Sequence, residues 1–503
     1  MTPYSPSLRV RFLLTAIAAI SAFAFITSCT VGPNYSRPAD PVSKQYDQQA
    51  EKQLSTVGGP IDAPHISLGQ KISGEWWSAF GSPKLDQVMH KAIAGSFDLA
   101  AANASIAQAK EAIIAAKGRL YPQINYGSQV GYQRAYLAGL KTPYTSSFYS
   151  GGLLATYDFD VFGGTKRLVE RQAALADFQK RQYDAVHLTL TGDIANQAIL
   201  LASARAQMDA VQTLLADDRK NLQLVGSARL TGSASEVDVA LAETQLRLDE
   251  TLLPPLAQQG SVARHALSVL AGVGPSDWVP PDFELSDFTL ASKLPVSLPS
   301  EIARNRPDIL EAESELHAAS AAIGVATADL YPHLTLSGFV TEAAAGAGSP
   351  FGPGTSLYGI GSELAGPLFH GGTLRANRRG AIDACKASLA IYQQTVIKSL
   401  GQVADVLQAI NHDEEEYLAQ EQALDAAGTS LRLNRDGYRE GEISVLQVLD
   451  AERAYQRALL GEIRTKTAQY LDATELFVAL GGNAAGAFEL RADVSTKARA
   501  SAK

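Results

Sequence analysis

Apolar and polar residues along this chain follow two rhythms that come round twice. From Leu85 to Arg119 the sequence is Ala-rich and free of proline ("KAIAGSFDLAAANASIAQAKEAIIAAKG" within it), a helix-forming run that stops at Tyr121-Pro122. The stop is expected, because a residue ahead of proline is steered away from helical backbone. The pattern then alternates. In "INYGSQVGY" Ile124, Tyr126, Ser128, Val130 and Tyr132 share one face, and in "FYSGGLLATYDF" Tyr149, Gly151, Leu153, Ala155, Tyr157 and Phe159 do the same. Two alternating runs joined by a loose loop predict a strand hairpin. No proline interrupts the 60 residues from Thr165 to Leu224, which predicts a long helix; a Gly/Ser turn over 226–235 and a second helical run to Leu270 follow.

The same order returns further on. Leu120-Tyr121-Pro122 answers to Leu330-Tyr331-Pro332 at an offset of 210, and the Gly-Gly-Thr of "VFGGTKR" matches that of "FHGGTLR" 208 residues later. Gly232, Ser235, Val239, Ala242 and Glu243 fall on Gly441, Ser444, Val448, Ala451 and Glu452, all at 209. Three matches in one order at one offset identify two copies of a unit of about 200 residues. The second copy predicts a helix over 300–330, strands over 333–345 and 355–369, a long helix over 373–436, a turn over 437–443 and a helix over 444–480.

At about 1.5 Å per residue the long helices measure roughly 90–96 Å and the short ones roughly half that, so two short helices end to end match one long helix. Helices of this length belong in a coiled coil or bundle. Leu449, Ile463, Tyr470 and Phe477 lie on a seven-residue ladder broken only by Gln456, the spacing of a coiled-coil seam. Four strands cannot close a barrel, and open sheet edges are not tolerated in lipid. Two chains would give eight strands and a filled lumen, three would give twelve and room for a pore; periodicity alone does not choose between them.

The chain opens with Arg9 and Arg11 and an uncharged run from Phe12 to Ile26. At 15 residues that run is short of a spanning helix, and it reads as a secretory leader. No later segment reaches 18 consecutive apolar residues, so any further membrane entry must use strands. Ile26-Thr27-Ser28-Cys29 resembles the lipobox of bacterial lipoproteins, in which the cysteine thiolate takes a diacylglycerol and becomes the new N-terminus. Several acyl chains, palmitate among them, would then anchor the protein, since one chain alone holds only marginally. Thr30, rather than an aspartate, implies the outer membrane. With Cys29 acylated, Cys385 has no partner for a disulfide.

A net charge of −9 argues against nucleic acid as a partner. The eight histidines are scattered without metal spacing, no phosphate loop occurs, and "HDEEE" at 412–416 reads as a solvated helix face, so we expect no enzyme activity, no cofactor and no metal. "GAGSPFGPGTS" at 346–356 suits an exposed hairpin tip. The rival reading is a lipid-anchored periplasmic spacer, but a spacer has no use for hairpins bearing Tyr126, Tyr132, Tyr149 and Tyr157 at positions suited to an aromatic girdle.

"CTVGPNYSRP" from Cys29, "WWSAFGSPKLDQVMHKAIAGSFDLAAANASIAQAKEAI" from Trp76, "RPDILEAESELHAASAAIGVATADLYPHLTLSG" from Arg306 and "YREGEISVLQVLDAERA" from Tyr438 resemble the outer-membrane factors of tripartite efflux systems. The likeness is to the NodT/OprM-like lipoprotein branch of the TolC family. It implies a homotrimer with one shared twelve-stranded β-barrel, four strands per protomer, continuing into a periplasmic α-helical coiled-coil barrel. The implied function is a passive exit duct for small molecules, lipid-anchored in the outer membrane and served by a periplasmic adaptor and an inner-membrane pump of the RND type. The chain then divides into a signal peptide (1–28), a lipidated extension and equatorial segment (29–84), a first repeat (85–270), an equatorial linker (271–299), a second repeat (300–480) and a C-terminal tail (481–503). Gly232 and Ser235, with Gly441 and Ser444, would mark the periplasmic tips that meet the adaptor. Two aspartates ring the entrance in the family, at positions that are Gln447 and Asp450 here; only one is kept, and the first copy offers Asp238 at the position equivalent to Gln447. Asp238 and Asp450 also suit a helix N-terminus as solvated first-turn residues.

Overall fold

The computed structural model describes residues 30–43, 45–47, 65–69, 74–135, 143–290, 293–345 and 356–482. Cys29, the leader 1–28, the loop 346–355 and the tail beyond Gly482 lie outside the described residues. The chain separates into two compact units, one of residues 1–38, 105–179 and 312–392, the other of 39–104, 180–311 and 393–503.

In order, the elements are β1 (His65–Leu68), α1 (Pro83–Gly95), α2 (Phe97–Gly118), β2 (Gln123–Ala135), β3 (Tyr144–Phe159), α3 (Gly164–Leu230), α4 (Glu236–Glu250), α5 (Leu253–Leu270), β4 (Lys293–Val296), α6 (Pro299–Asn305), α7 (Pro307–Ala328), β5 (His333–Ala345), β6 (Ser356–Ala365), α8 (Thr373–Glu440) and α9 (Val445–Ala479). Three of the expected helices are divided. Ser96 ends α1 and starts α2, its amide donating to Ala92 O at 2.8 Å while its hydroxyl accepts from Leu99 N at 3.3 Å. The run after the first turn breaks before Pro254-Pro255, which cannot donate the hydrogen bonds that continuation needs. The third break is at Arg306, whose ψ of 125° is the extended backbone that Pro307 imposes. The turns are also tighter than expected, since α3 continues through Gly226 to Leu230 and α8 through Gly437 to Glu440.

The first unit holds a four-stranded antiparallel sheet in the order β2-β3-β5-β6. Each copy supplies one hairpin, and the copies join where β3 pairs β5, from Phe148↔Ala345 to Phe159↔Leu334. The second unit has an aromatic core in which Trp76 stacks on Phe477 at 5.4 Å and Phe80 meets Phe288, Tyr470 and Phe477 edge-on. Tyr470 closes it by donating to Phe288 O at 2.8 Å. The seven-residue ladder on α9 is the buried side, with Leu449, Ile463, Tyr470 and Phe477 all under 9% exposed. Arg306 is buried beside its helix break and caps the far end of α9, donating to Ala479 O at 2.6 Å and to Gln402 Oε1 at 2.8 Å.

Candidate functional site

Opposed residues of paired antiparallel strands point to the same face, so the register sorts the sheet into two surfaces. Tyr126↔Leu153↔Val340↔Tyr358 runs across all four strands. With it on one face stand Ile124, Val130, Tyr132, Leu336, Ile360 and Leu364, and all of these apolar side chains are exposed, Tyr358 and Ile360 by more than 80%. The other face is mostly polar, with Asn125, Gln129, Ser150, Thr156, Asp158, Thr335, Ser337, Thr341 and Glu363 beside the apolar Leu154, Phe339 and Leu357. Glycines on it are overlaid by rings, Gly131 by Phe148 and Gly359 by Phe339. An apolar face this large is the outside of a membrane barrel, and the polar face is its lumen. Strands of 10–16 residues are long enough to cross the hydrocarbon when tilted.

The helix reversals are built alike in both copies. Gly232 sits at φ 79° and Gly441 at φ 77°. The Gly232 amide donates to Arg229 O at 3.0 Å and the Ser233 amide to Ala228 O at 2.9 Å; Gly441 and Glu442 repeat these bonds to Tyr438 O and Gly437 O at 3.1 and 2.9 Å. This is the Schellman helix end, with glycine at the left-handed position. Past each turn a serine opens the next helix. Ser235 donates its amide to Asp238 Oδ2 at 2.8 Å, and Ser444 donates its own to Gln447 Oε1 at 3.3 Å. Asp238 and Gln447 therefore hold the same structural position, and these bonds from Ser235, the backbone amide first, hold the Asp238 carboxyl below its usual range. Asp450 is exposed and paired with Arg453 at 3.1 Å. A groove of about 890 Å3 brings Asp238, Gly441 and Ser444 together; Gln447 and Asp450 are not among its lining residues.

Above the turns lies a polar layer that the sequence reading missed. Asp218, Asp249 and Glu452 are buried at 3%, 6% and 3% exposure, on α3, α4 and α9. Arg435 of α8 bridges Asp217 and Glu452 at 2.7 and 2.9 Å, and Asn221 donates to Glu452 at 2.6 Å. Gln245 donates to Asp249 at 2.6 Å and accepts from Arg453. Heptad spacing was the available signal: Val211, Leu215, Asp218, Leu222 and Val225 alternate by four and three, as do Ala242, Leu246, Asp249 and Leu253. In "HDEEE", Glu414 accepts from Gln469 at 2.9 Å and His412 pairs with Glu415 at 3.8 Å.

In the first unit the residues directly after Cys29 are pinned. The Val31 amide donates to Phe162 O at 3.0 Å, and the buried Arg167 donates to Val31 O at 3.1 Å, Asn34 Oδ1 at 2.7 Å and Glu170 at 2.7 Å. Tyr35 stacks on His317 at 4.2 Å, and His317 Nε2 lies 3.1 Å from Glu170. Burial raises the Glu170 carboxyl, but hydrogen bonds from Arg167 and His317 outweigh it and hold the group below the usual range.

The sequence profile of the family described as "Outer membrane efflux protein" matches residues 88–273 and 298–482. The chain belongs to this family. It is 30% identical over 442 residues to the pyoverdine export outer membrane protein OpmQ of Pseudomonas aeruginosa, covering 85% of this chain and 92% of that one. It is 29% identical over 462 residues to the cation efflux system protein CusC of Escherichia coli O6:H1, covering 91% and 96%. The solved outer-membrane channel OprN superposes with a TM-score of 0.83 at 25% identity, over 90% of this chain and 99% of that one.

As an outer membrane efflux protein the chain is an outer-membrane channel of a tripartite efflux system, in a family of ducts rather than enzymes. Such channels are trimers that work with an adaptor and an inner-membrane pump. The family thus decides what periodicity left open. Three copies of the β2-β3-β5-β6 sheet make twelve strands, in which edge strands β2 and β6 find partners on neighbouring protomers.

Proposed function

We propose that this chain is the lipid-anchored exit duct of an export line driven by a pump of the RND type, with the two helix reversals as its adaptor-docking tips. The sheet supports this reading most directly, because an apolar outer face and a polar inner face on strands of membrane length suit a passive water-filled conduit. On this reading 271–299 forms an equatorial collar with residues 60–84 and the C-terminal tail, and Gly232, Ser235, Gly441 and Ser444 lie on the docking surface. Reconstituting efflux with the adaptor and an RND pump tests the pump class. Export restored only by a pump of another class would refute it.

Cys29 is the acylated mature N-terminus in this proposal, and the Arg167 clasp on Val31 and Asn34 supports it by holding the chain directly behind that residue. A clickable fatty acid should label the wild-type protein and leave Cys29→Ala unlabelled. Equal label on both would end the idea.

We assign Asp450 to an acidic entrance, to which Asp238 and Gln447 contribute in a trimer where these positions face the lumen. Six carboxylates in a trimer would draw cations into a narrow mouth, an effect that salt weakens. In planar bilayers the double substitution Asp238→Asn with Asp450→Asn should lower cation preference and relieve block by multivalent cations. Unchanged selectivity and block would mean that closure rests on contacts between the tips.

A further inference from the structure

The buried layer of Asp218, Asp249 and Glu452 contains none of the docking or entrance residues, though Arg453 links it to Asp450. It lies between two apolar clusters, one of Val225, Ala242, Val445 and Leu449 on the tip side and one of Val211, Leu215 and Leu246 beyond it. Every heptad neighbour of the two aspartates is apolar or small. The charged groups around Asp218 come from all four helices: Asp217 beside it on α3, Asp249 on α4, Glu452 and Arg453 on α9, and Arg435 on α8. Four carboxylates thus face two guanidinium groups and the Lys220 ammonium, which pairs with Asp217 at 3.2 Å. Arg435 is taken by Asp217 and Glu452, while Arg453 is engaged by Gln245 and by Asp450. Asp218 has neither, and its Oδ2 is buried with no hydrogen-bond partner.

We propose that this layer is a proton-binding site, in which one proton held between Asp218 and Asp249 fastens α3 to α4 and its loss loosens the helices directly above the tips. Two carboxylates buried on adjoining helices between apolar clusters repel each other with little water to screen them, so one proton between them turns repulsion into a hydrogen bond. Burial, and then the neighbouring Asp249, push Asp218 up to about 7. The folded protein therefore keeps a proton that the unfolded chain loses near pH 3.8. Stability from this group is complete in acid, falls as pH rises through that window, and is gone above about 7. One proton can shift the balance of tight and loose states by at most about tenfold per pH unit.

The purified trimer tests this. Infrared difference spectra between pH 6 and pH 8 should show a protonated-carboxyl band in the wild type that shrinks by one group in Asp218→Asn, whose amide mimics the protonated acid; the remainder belongs to Asp413, which burial and then Asp472 also push up to about 7. In planar bilayers the open probability of the wild type should rise between pH 6 and pH 8 by several-fold, within the tenfold-per-unit limit of one proton, while Asp218→Asn and the heptad-restoring Asp218→Leu stay flat. A band of equal size in the wild type and in Asp218→Asn, or the same pH response of the two channels, would overturn the proposal.

Discussion

Gly152→Val should remove the protein from the outer membrane. Gly152 lies in the middle of β3 opposite Thr341 of β5, on the strand seam where the hairpins of the two copies meet. A Cβ there would stand 2.2 Å from Val340 O and 2.5 Å from Thr341 Cα. Both are backbone atoms of the neighbouring strand, so no side chain can rotate out of the way. Overpacking costs about 1–3 kcal/mol even where side chains can yield, and here the strands must part instead. Parting them leaves unpaired N–H and C=O groups at membrane depth, each of which costs several kcal/mol without water. We expect no trimer in outer-membrane fractions and rapid proteolysis of the chain. Gly151→Ala is the control, because its added Cβ meets nothing closer than 3.7 Å and it should assemble normally. Normal trimer levels for Gly152→Val would mean that the β3–β5 seam has another register.

Replacing the two turn glycines together, Gly232→Val with Gly441→Val, should abolish efflux while leaving the trimer and its membrane level unchanged. Neither position is crowded, since an added Cβ would meet nothing within 4 Å. The fault lies in the backbone: at φ 79° and 77° an L side chain costs about 1–2 kcal/mol, and a β-branched one more. That strain is relieved by giving up the Schellman bonds, which reshapes both reversals at once. The rest of the protein is untouched, because Gly232 and Gly441 end their helices at exposed turns. Asparagine tolerates the left-handed region, so Gly232→Asn with Gly441→Asn should keep most export. A drug-accumulation assay beside crosslinked-trimer blots reads both arms. Full export by the valine pair would show that tip shape is not what the adaptor reads.

What could be read from the chain alone was whatever repeats locally. The alternation in β2 and β3, the proline-free runs of α3 and α8, and the Gly and Ser turn signals of both copies depend on backbone geometry over a few residues, so they survive in one dimension. So does the duplication, because copies with one fold keep their punctuation at a constant offset, as Gly232 and Gly441 do. The helix breaks at Ser96 and Arg306 were less legible. Serine is tolerated within helices; at Arg306 the following Pro307 was a local signal, but what the Arg306 side chain would bind there, Ala479 O and Gln402, lies far away in sequence. Only the folded chain decided which strand of one hairpin meets the other, since β3–β5 pairing spans some 180 residues and no local signal selects it. It alone turned three surface-looking carboxylates into a buried layer. A charged residue at one heptad position of one helix reads as solvated, and becomes a titrating site only when α3, α4 and α9 converge and exclude water from all three together.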